Sequence, residues 1–137
     1  MAVDKANLLK LLDRVPYAKT LGIQLTGDPE RCLLPARKSN IGNPTLPALH
    51  GGAIAGFMEL SAMSLVLQHT DAERVPKVVD YSVDYVRAGK FCDTHSRCEL
   101  VYLGRRMINV RVSAWQEDEA SPIAMARVQF LLKDTPW

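Results

Sequence analysis

The segment from Gly51 to His69, GGAIAGFMELSAMSLVLQH, constrains this chain more than any other. It is apolar on every side, and Glu59 is its only charge before the end. A helix lying on a surface needs one polar face, whereas a helix apolar all round has to be buried. Its length also approaches the roughly 20 apolar residues that cross a bilayer. Glu59, Ser61 and Ser64 sit in its middle, however, and the rest of the chain reads as strands of a soluble protein. A central helix wrapped by a sheet accounts for the same pattern, with no membrane partner expected.

The flanking sequence supplies that sheet. Before the helix, Leu8, Leu11, Leu12 and Val15 recur at helical spacing after Asp4, a good N-cap, and this short helix is expected to stop before Pro16. Gly22 to Thr26 and Arg31 to Ala36 flank Gly27-Asp28-Pro29 and read as a hairpin. Ser39 to Leu49, with Asn40, Gly42, Asn43, Pro44 and Pro47, reads as a loop. After Pro76 the pattern turns to period two. Val79 to Tyr85 alternates apolar and polar, and Cys98 to Tyr102 does so less cleanly. Ile108, Val110, Val112 and Ala114 alternate with Asn109, Arg111 and Ser113, after a turn at Gly104-Arg105-Arg106. A turn near Glu119 to Pro122 precedes a last strand from Ala124 to Leu132. Such alternation buries one face of an antiparallel sheet and leaves the other for solvent or an oligomer contact. The order predicts an α+β fold, one domain over residues 1–137, with the long helix on one face of the sheet.

Charge and cysteine content narrow the function. A net charge of +2, with lysines and arginines scattered, gives no basic stripe and no expected nucleic-acid partner. Cys32, Cys92 and Cys98 form no CxxC pair and no even disulfide set, which fits a reducing compartment. The run MAVDKANLLKLLDRV is interrupted by Lys10 and Asp13, so it lacks a signal-peptide core, and a cytoplasmic location is expected.

The candidate chemistry gathers at the long helix. His50-Gly51-Gly52 precedes it, where the first backbone N–H groups have no partner inside the helix and carry the positive end of its dipole. Glycines there let a ligand reach the backbone, so the position suits a developing oxyanion. Taken alone, the two glycines are better explained by a tight turn into the helix, since Gly-Gly before a helix is common. Glu59 is costly in an apolar helix unless it is paired or functional, and desolvation would raise its pKa toward the range of a base or nucleophile. A local polar patch with Ser61 or Ser64 explains it equally well. Eight residues separate Gly51 from Glu59, about 12 Å along a helix. One small carbonyl cannot touch both on the same helix, so a shared site needs two chains facing each other across a two-fold axis.

Other constellations carry less. Cys92, His95 and Cys98 have a superficial metal spacing, but on a strand His95 points opposite both cysteines, and a fourth ligand is missing. No metal is expected. There is no GxSxG for a serine hydrolase and no GxGxxG for a nucleotide. Arg87, Arg105 and Arg106 read as solvated loop residues that could also grip a phosphate.

The run from His50-Gly51-Gly52 through Glu59 to Ala62 resembles the signature of hotdog-fold thioesterases of the PaaI and 4-hydroxybenzoyl-CoA thioesterase type: HGG, then a carboxylate on the following helix, then a small residue. Val79 to Gly89 resembles the family's next strand, Gly104-Arg105-Arg106 its following turn, and Ala124 to Phe130 its last strand. The resemblance covers most of the chain from Gly22 onward. It implies a long helix gripped by a curved antiparallel sheet, a homodimer with a continuous sheet, and often a dimer of dimers. It implies acyl-CoA thioester hydrolysis without metal or other cofactor. Carried over by position, Glu59 is the nucleophile or general base, the Gly51 amide the oxyanion donor, and His50 and Asn43 groups near the thioester. Gly52 borders the substrate, with the CoA phosphates near Arg87, Arg105 or Arg106. Met63 stands where some relatives carry a hydroxyl, and Lys77 and Val78 where others do, which leaves Ser61 and Ser64 as the nearby hydroxyls. Two other functions fit the same residues less closely: a hotdog enoyl-CoA hydratase or dehydratase, whose histidine spacing differs, and a non-catalytic acyl-CoA-binding module, which would not need Glu59.

Overall fold

The computed structural model describes residues 13–70 and 75–133. The helix expected from Leu8, Leu11, Leu12 and Val15 lies mostly outside them; residues 13–14 are helical and the helix breaks at Val15, before Pro16 as expected. A second helical segment, α1 (Pro16–Leu21), starts at the same proline. Proline suits the first helical position, where its missing N–H has no intrahelical acceptor anyway. Gly22 then closes α1 at φ 84°, a left-handed conformation that glycine adopts without strain. Ala18 and Leu21 are buried and point α1 at the centre of the molecule.

The expected hairpin forms, in shorter strands. β1 (Gln24–Leu25) pairs antiparallel with β2 (Arg31–Leu34) around Gly27, whose φ is 88°. The segment read as a loop is more ordered than its composition suggests. A 3-10 turn (Lys38–Asn40) leads into β3 (Ile41–Asn43), which pairs with β4 (Ala48–Leu49) as a two-stranded sheet. That pairing rests on backbone hydrogen bonds across a proline-containing turn, so it leaves no side-chain period to read.

Four long strands follow α2 (Gly51–His69): β5 (Val75–Tyr85), β6 (Thr94–Leu103), β7 (Met107–Trp115) and β8 (Ala124–Lys133). With the hairpin they make one antiparallel sheet in the order β1-β2-β6-β7-β8-β5. The helix lies on one face of it. Ile54, Met58, Ala62, Leu65 and Val66 of α2 pack on the inward residues of β7 and β8, among them Val110, Val112, Val128 and Phe130. On its other side Ala53, Phe57, Leu60 and Leu67 meet α1 and β2 through Ala18, Leu21 and Leu34. Phe57 and Phe130 are fully buried, and burying a side chain of this kind stabilises by roughly 1.5–3 kcal/mol. Covered from two sides, α2 has to be apolar nearly all round. It is long and apolar enough to cross a membrane, yet 67% of that window is buried inside the fold.

Between its exposed Gly52 and its last turn, α2 keeps one half-open stripe: Ala55, Glu59 and Met63, in line with Gly51 and spaced four apart. Residues four apart share a helix face. The stripe runs beside β5, an outer strand that among the described residues is bonded only to β8. On β5, Tyr81 and Val83 are half-buried against the core while Asp80, Ser82 and Asp84 face out. A register shift between Val78 and Asp80 takes Val79 out of the alternation and leaves it 47% exposed. A similar shift between Leu100 and Tyr102 blurs the pattern at the end of β6.

Candidate active site

The start of α2 is held from three directions. The His50 N–H donates to the Asn40 carbonyl at 2.8 Å, and buried Asn40 anchors itself through Nδ2 to the Leu21 carbonyl at 2.9 Å. The His50 side chain caps the helix, its Nδ1 accepting the Gly52 N–H at 2.8 Å. The Ala53 and Ile54 N–H groups both donate to the His50 carbonyl. Of the first-turn donors, the Gly51 N–H alone has no acceptor among the described residues. It is a free donor at the positive end of a 19-residue helix. Because Nδ1 accepts, a neutral His50 carries its proton on Nε2. His50 is exposed, so Nε2–H is a second donor next to the first.

Glu59 stands two turns further along the same stripe. It is half-buried, and its carboxylate makes no hydrogen bond or ion pair with any described residue. Burial pushes its carboxyl above the ordinary carboxylate range. An unpaired carboxylate held partly out of water is a stronger base than one in solution. Ser61 and Ser64 do not serve it. Both are buried, and Ser61 donates to the Phe57 carbonyl at 2.7 Å while accepting from Ser96 at 2.9 Å.

Two tyrosines of β5 brace this stripe. The Tyr85 hydroxyl donates to the Gly51 carbonyl at 2.7 Å, and the Tyr81 hydroxyl to the Ala55 carbonyl at 2.6 Å. Neither was singled out from the sequence, although both stand on the inward face of the alternating strand. An open groove of about 410 Å³ lies at the helix start, lined among others by Leu49, Gly51, Ile54, Tyr85 and Arg87.

The remaining sequence candidates are placed unevenly. Asn43 is exposed beside β4, with its Oδ1 accepting the Thr45 and Leu46 N–H groups of its own turn. Arg87 borders the groove and donates to the Pro122 carbonyl at 2.7 Å. Arg105 and Arg106 are not near it within the chain. The registers Val78↔Phe130, Ile108↔Phe130 and Leu103↔Ile108 put their turn at the end of the sheet where β5 begins. Tyr85↔Ala124 and Ala114↔Ala124 put Gly51 and Arg87 at the other end. His95 stacks on Trp115 with ring centroids 5.6 Å apart, whereas Cys98 is buried in the core, as strand alternation requires.

Residues 46–123, more than half of the chain and including Gly51 and Glu59, match the thioesterase superfamily. The chain belongs to that family. A protein from Chromobacterium violaceum is 36% identical, with 96% of this chain and 93% of that one covered and a TM-score of 0.75. A Bacillus halodurans protein solved with CoA is 21% identical, with 93% and 84% covered and a TM-score of 0.76. A mutant of a thioesterase enzyme from Staphylococcus aureus is 15% identical, with 87% and 99% covered and a TM-score of 0.77. No curated protein shows significant similarity. The long helix on a six-stranded antiparallel sheet is the hotdog fold, shared with these solved structures.

Proposed function

We propose that this thioesterase-superfamily chain hydrolyses an acyl-CoA to a carboxylic acid and free CoA, as a hotdog thioesterase of the PaaI and 4-hydroxybenzoyl-CoA type. One observation carries the reading. The free Gly51 N–H and the unpaired Glu59 carboxylate share the half-open stripe of an otherwise buried helix. Their separation of about 12 Å along the helix exceeds the reach of one thioester. Two copies joined along β5 would set Gly51 of one against Glu59 of the other. β5 suits that role, because it is a long outer strand with Val79 and Tyr85 exposed at 47% and 53%.

In the assembled site the Gly51 N–H, with Nε2–H of His50 beside it, stabilises charge developing on the thioester oxygen. Glu59 then works in one of two ways. It attacks the carbonyl carbon, expelling CoA thiolate and leaving an anhydride that water cleaves, or it takes a proton from the water that attacks. Arg87 at the groove rim suits a CoA phosphate. Arg105 and Arg106 lie at the far end of the sheet in their own chain, so any contact they make with the same ligand would come from the second copy. The CoA found in the Bacillus halodurans relative supports CoA as the carrier.

The deciding experiment measures thiol release from aryl and aliphatic acyl-CoA esters with wild type and Glu59→Gln. Turnover of at least one ester, lost about 100-fold or more in a folded Glu59→Gln, is the expected result. No turnover on the whole panel overturns the reading. Oxygen-18 found in Glu59 after a single turnover in labelled water assigns the anhydride route.

A further inference from the structure

β5 turns Tyr81 and Tyr85 toward the half-open stripe of α2 from one flank, while Tyr17 of α1 packs on Gly56 on the other. Of these, Tyr81 bonds the turn on which Glu59 stands. Its hydroxyl donates to the carbonyl of Ala55 at 2.6 Å, one turn before Glu59. A helical side chain leans back over the turn that precedes it. The Glu59 side chain therefore leans toward Ala55 and the Tyr81 phenol. We propose that Tyr81 is a positioning residue for Glu59: its ring walls the strand side of the carboxylate, and its hydroxyl locks that ring to the helix. Glu59 is left with one open direction, along the stripe toward the substrate. This rests on Glu59 being the reacting carboxylate.

Tyr81 acts through Glu59 because its own proton is already committed to the Ala55 carbonyl. Burial first, and then the Glu59 charge, push its phenol up, so it stays a donor throughout the working range. No other element covering the helix brings a charged group to this flank among the described residues. β7 and β8 present apolar residues, and β2 and β6 present Cys32 and Cys98, thiols whose pKa burial raises. The wall formed by Tyr81 is therefore a main control on how much water reaches Glu59.

Tyr81→Phe keeps the ring and removes the lock, whereas Tyr81→Leu opens the wall. With kcat and KM measured on the best ester, Tyr81→Phe is expected to lower kcat by about 10-fold and leave KM within about twofold. Tyr81→Leu is expected to lower kcat further. It should also move the acid limb of kcat/KM to lower pH, because a better-solvated carboxylate ionises earlier. Unchanged kcat and acid limb in both variants, with Glu59→Gln inactive, overturn the role of Tyr81 alone. Full activity in Glu59→Gln overturns the reading of Glu59 and this role with it. If Tyr81→Leu does not fold, the near-isosteric Tyr81→Phe decides through the kcat-against-KM split.

Discussion

The imidazole Nδ1 of His50 accepts the Gly52 N–H at 2.8 Å, while the neighbouring Gly51 N–H is the uncommitted donor of the first turn among the described residues. One side chain thus finishes the helix and, in its neutral form, keeps its Nε2–H on an exposed ring beside Gly51. Asparagine also caps helices well, but it presents no imidazole N–H there.

Exchanging His50 therefore separates the two roles. His50→Ala is expected to cost about 1 kcal/mol of stability, a fall in Tm of about 4 °C. His50→Asn should recover most of the lost Tm while kcat/KM stays low. Calorimetry and acyl-CoA kinetics on the same samples check this. Recovery of both by asparagine would mean that His50 is only a cap.

Glu59 should lower stability at neutral pH. Its folded pKa is raised by burial, so the folded state binds the proton more tightly than the unfolded chain does. The stabilisation from that proton is complete below the ordinary carboxylate pKa and is lost as pH rises through the raised folded value. Glu59→Gln should melt higher than wild type at pH 7 to 8. The gap should close as pH falls below about 4, the ordinary value for glutamate. Melting curves over that range test the sign; a Glu59→Gln protein less stable at neutral pH would point to a bond that the wild-type carboxylate makes.

Gly42 sits against the site's backbone. A Cβ there would come 2.8 Å from the His50 Cα and 3.0 Å from its Cβ. Backbone cannot yield as a side-chain tip does, so Gly42→Ala should push His50 away from the Asn40 carbonyl that holds its N–H. Overpacking of this sort typically costs about 1–3 kcal/mol. Activity should fall further, by about 10-fold or more, because Gly51, the proposed oxyanion donor, directly follows the displaced His50. Equal activity and Tm in wild type and Gly42→Ala would show that the β3–β4 sheet moves freely beneath the helix start.

Much of the helix and long strands was legible because burial has a period. A helix enclosed on two sides must be apolar around its circumference, and the sequence from Gly51 to His69 says so directly. The two-residue period is equally plain in Ile108, Val110 and Val112, which all face the core. Pro16 was less legible, because proline both ends one helix and starts the next. Residues 39–49 were not legible either, since backbone pairing there carries no side-chain signature.

The sequence by itself determined the buried helix, the antiparallel sheet that must cover it, and the pair Gly51 and Glu59 on one helix face. Those follow from the spacing of apolar residues, from glycines standing at a helix start, and from a carboxylate standing where burial makes it costly. Only the tertiary structure decided which polar groups are left free. His50 takes the Gly52 N–H, Asn43 serves its own turn, Ser61 bonds inward, and Tyr81 and Tyr85 reach across from β5. Hydrogen-bond partners lie far apart in the chain, 26 residues between Tyr81 and Ala55 and 34 between Tyr85 and Gly51. No local pattern records such pairings; they exist only once the strand has packed beside the helix.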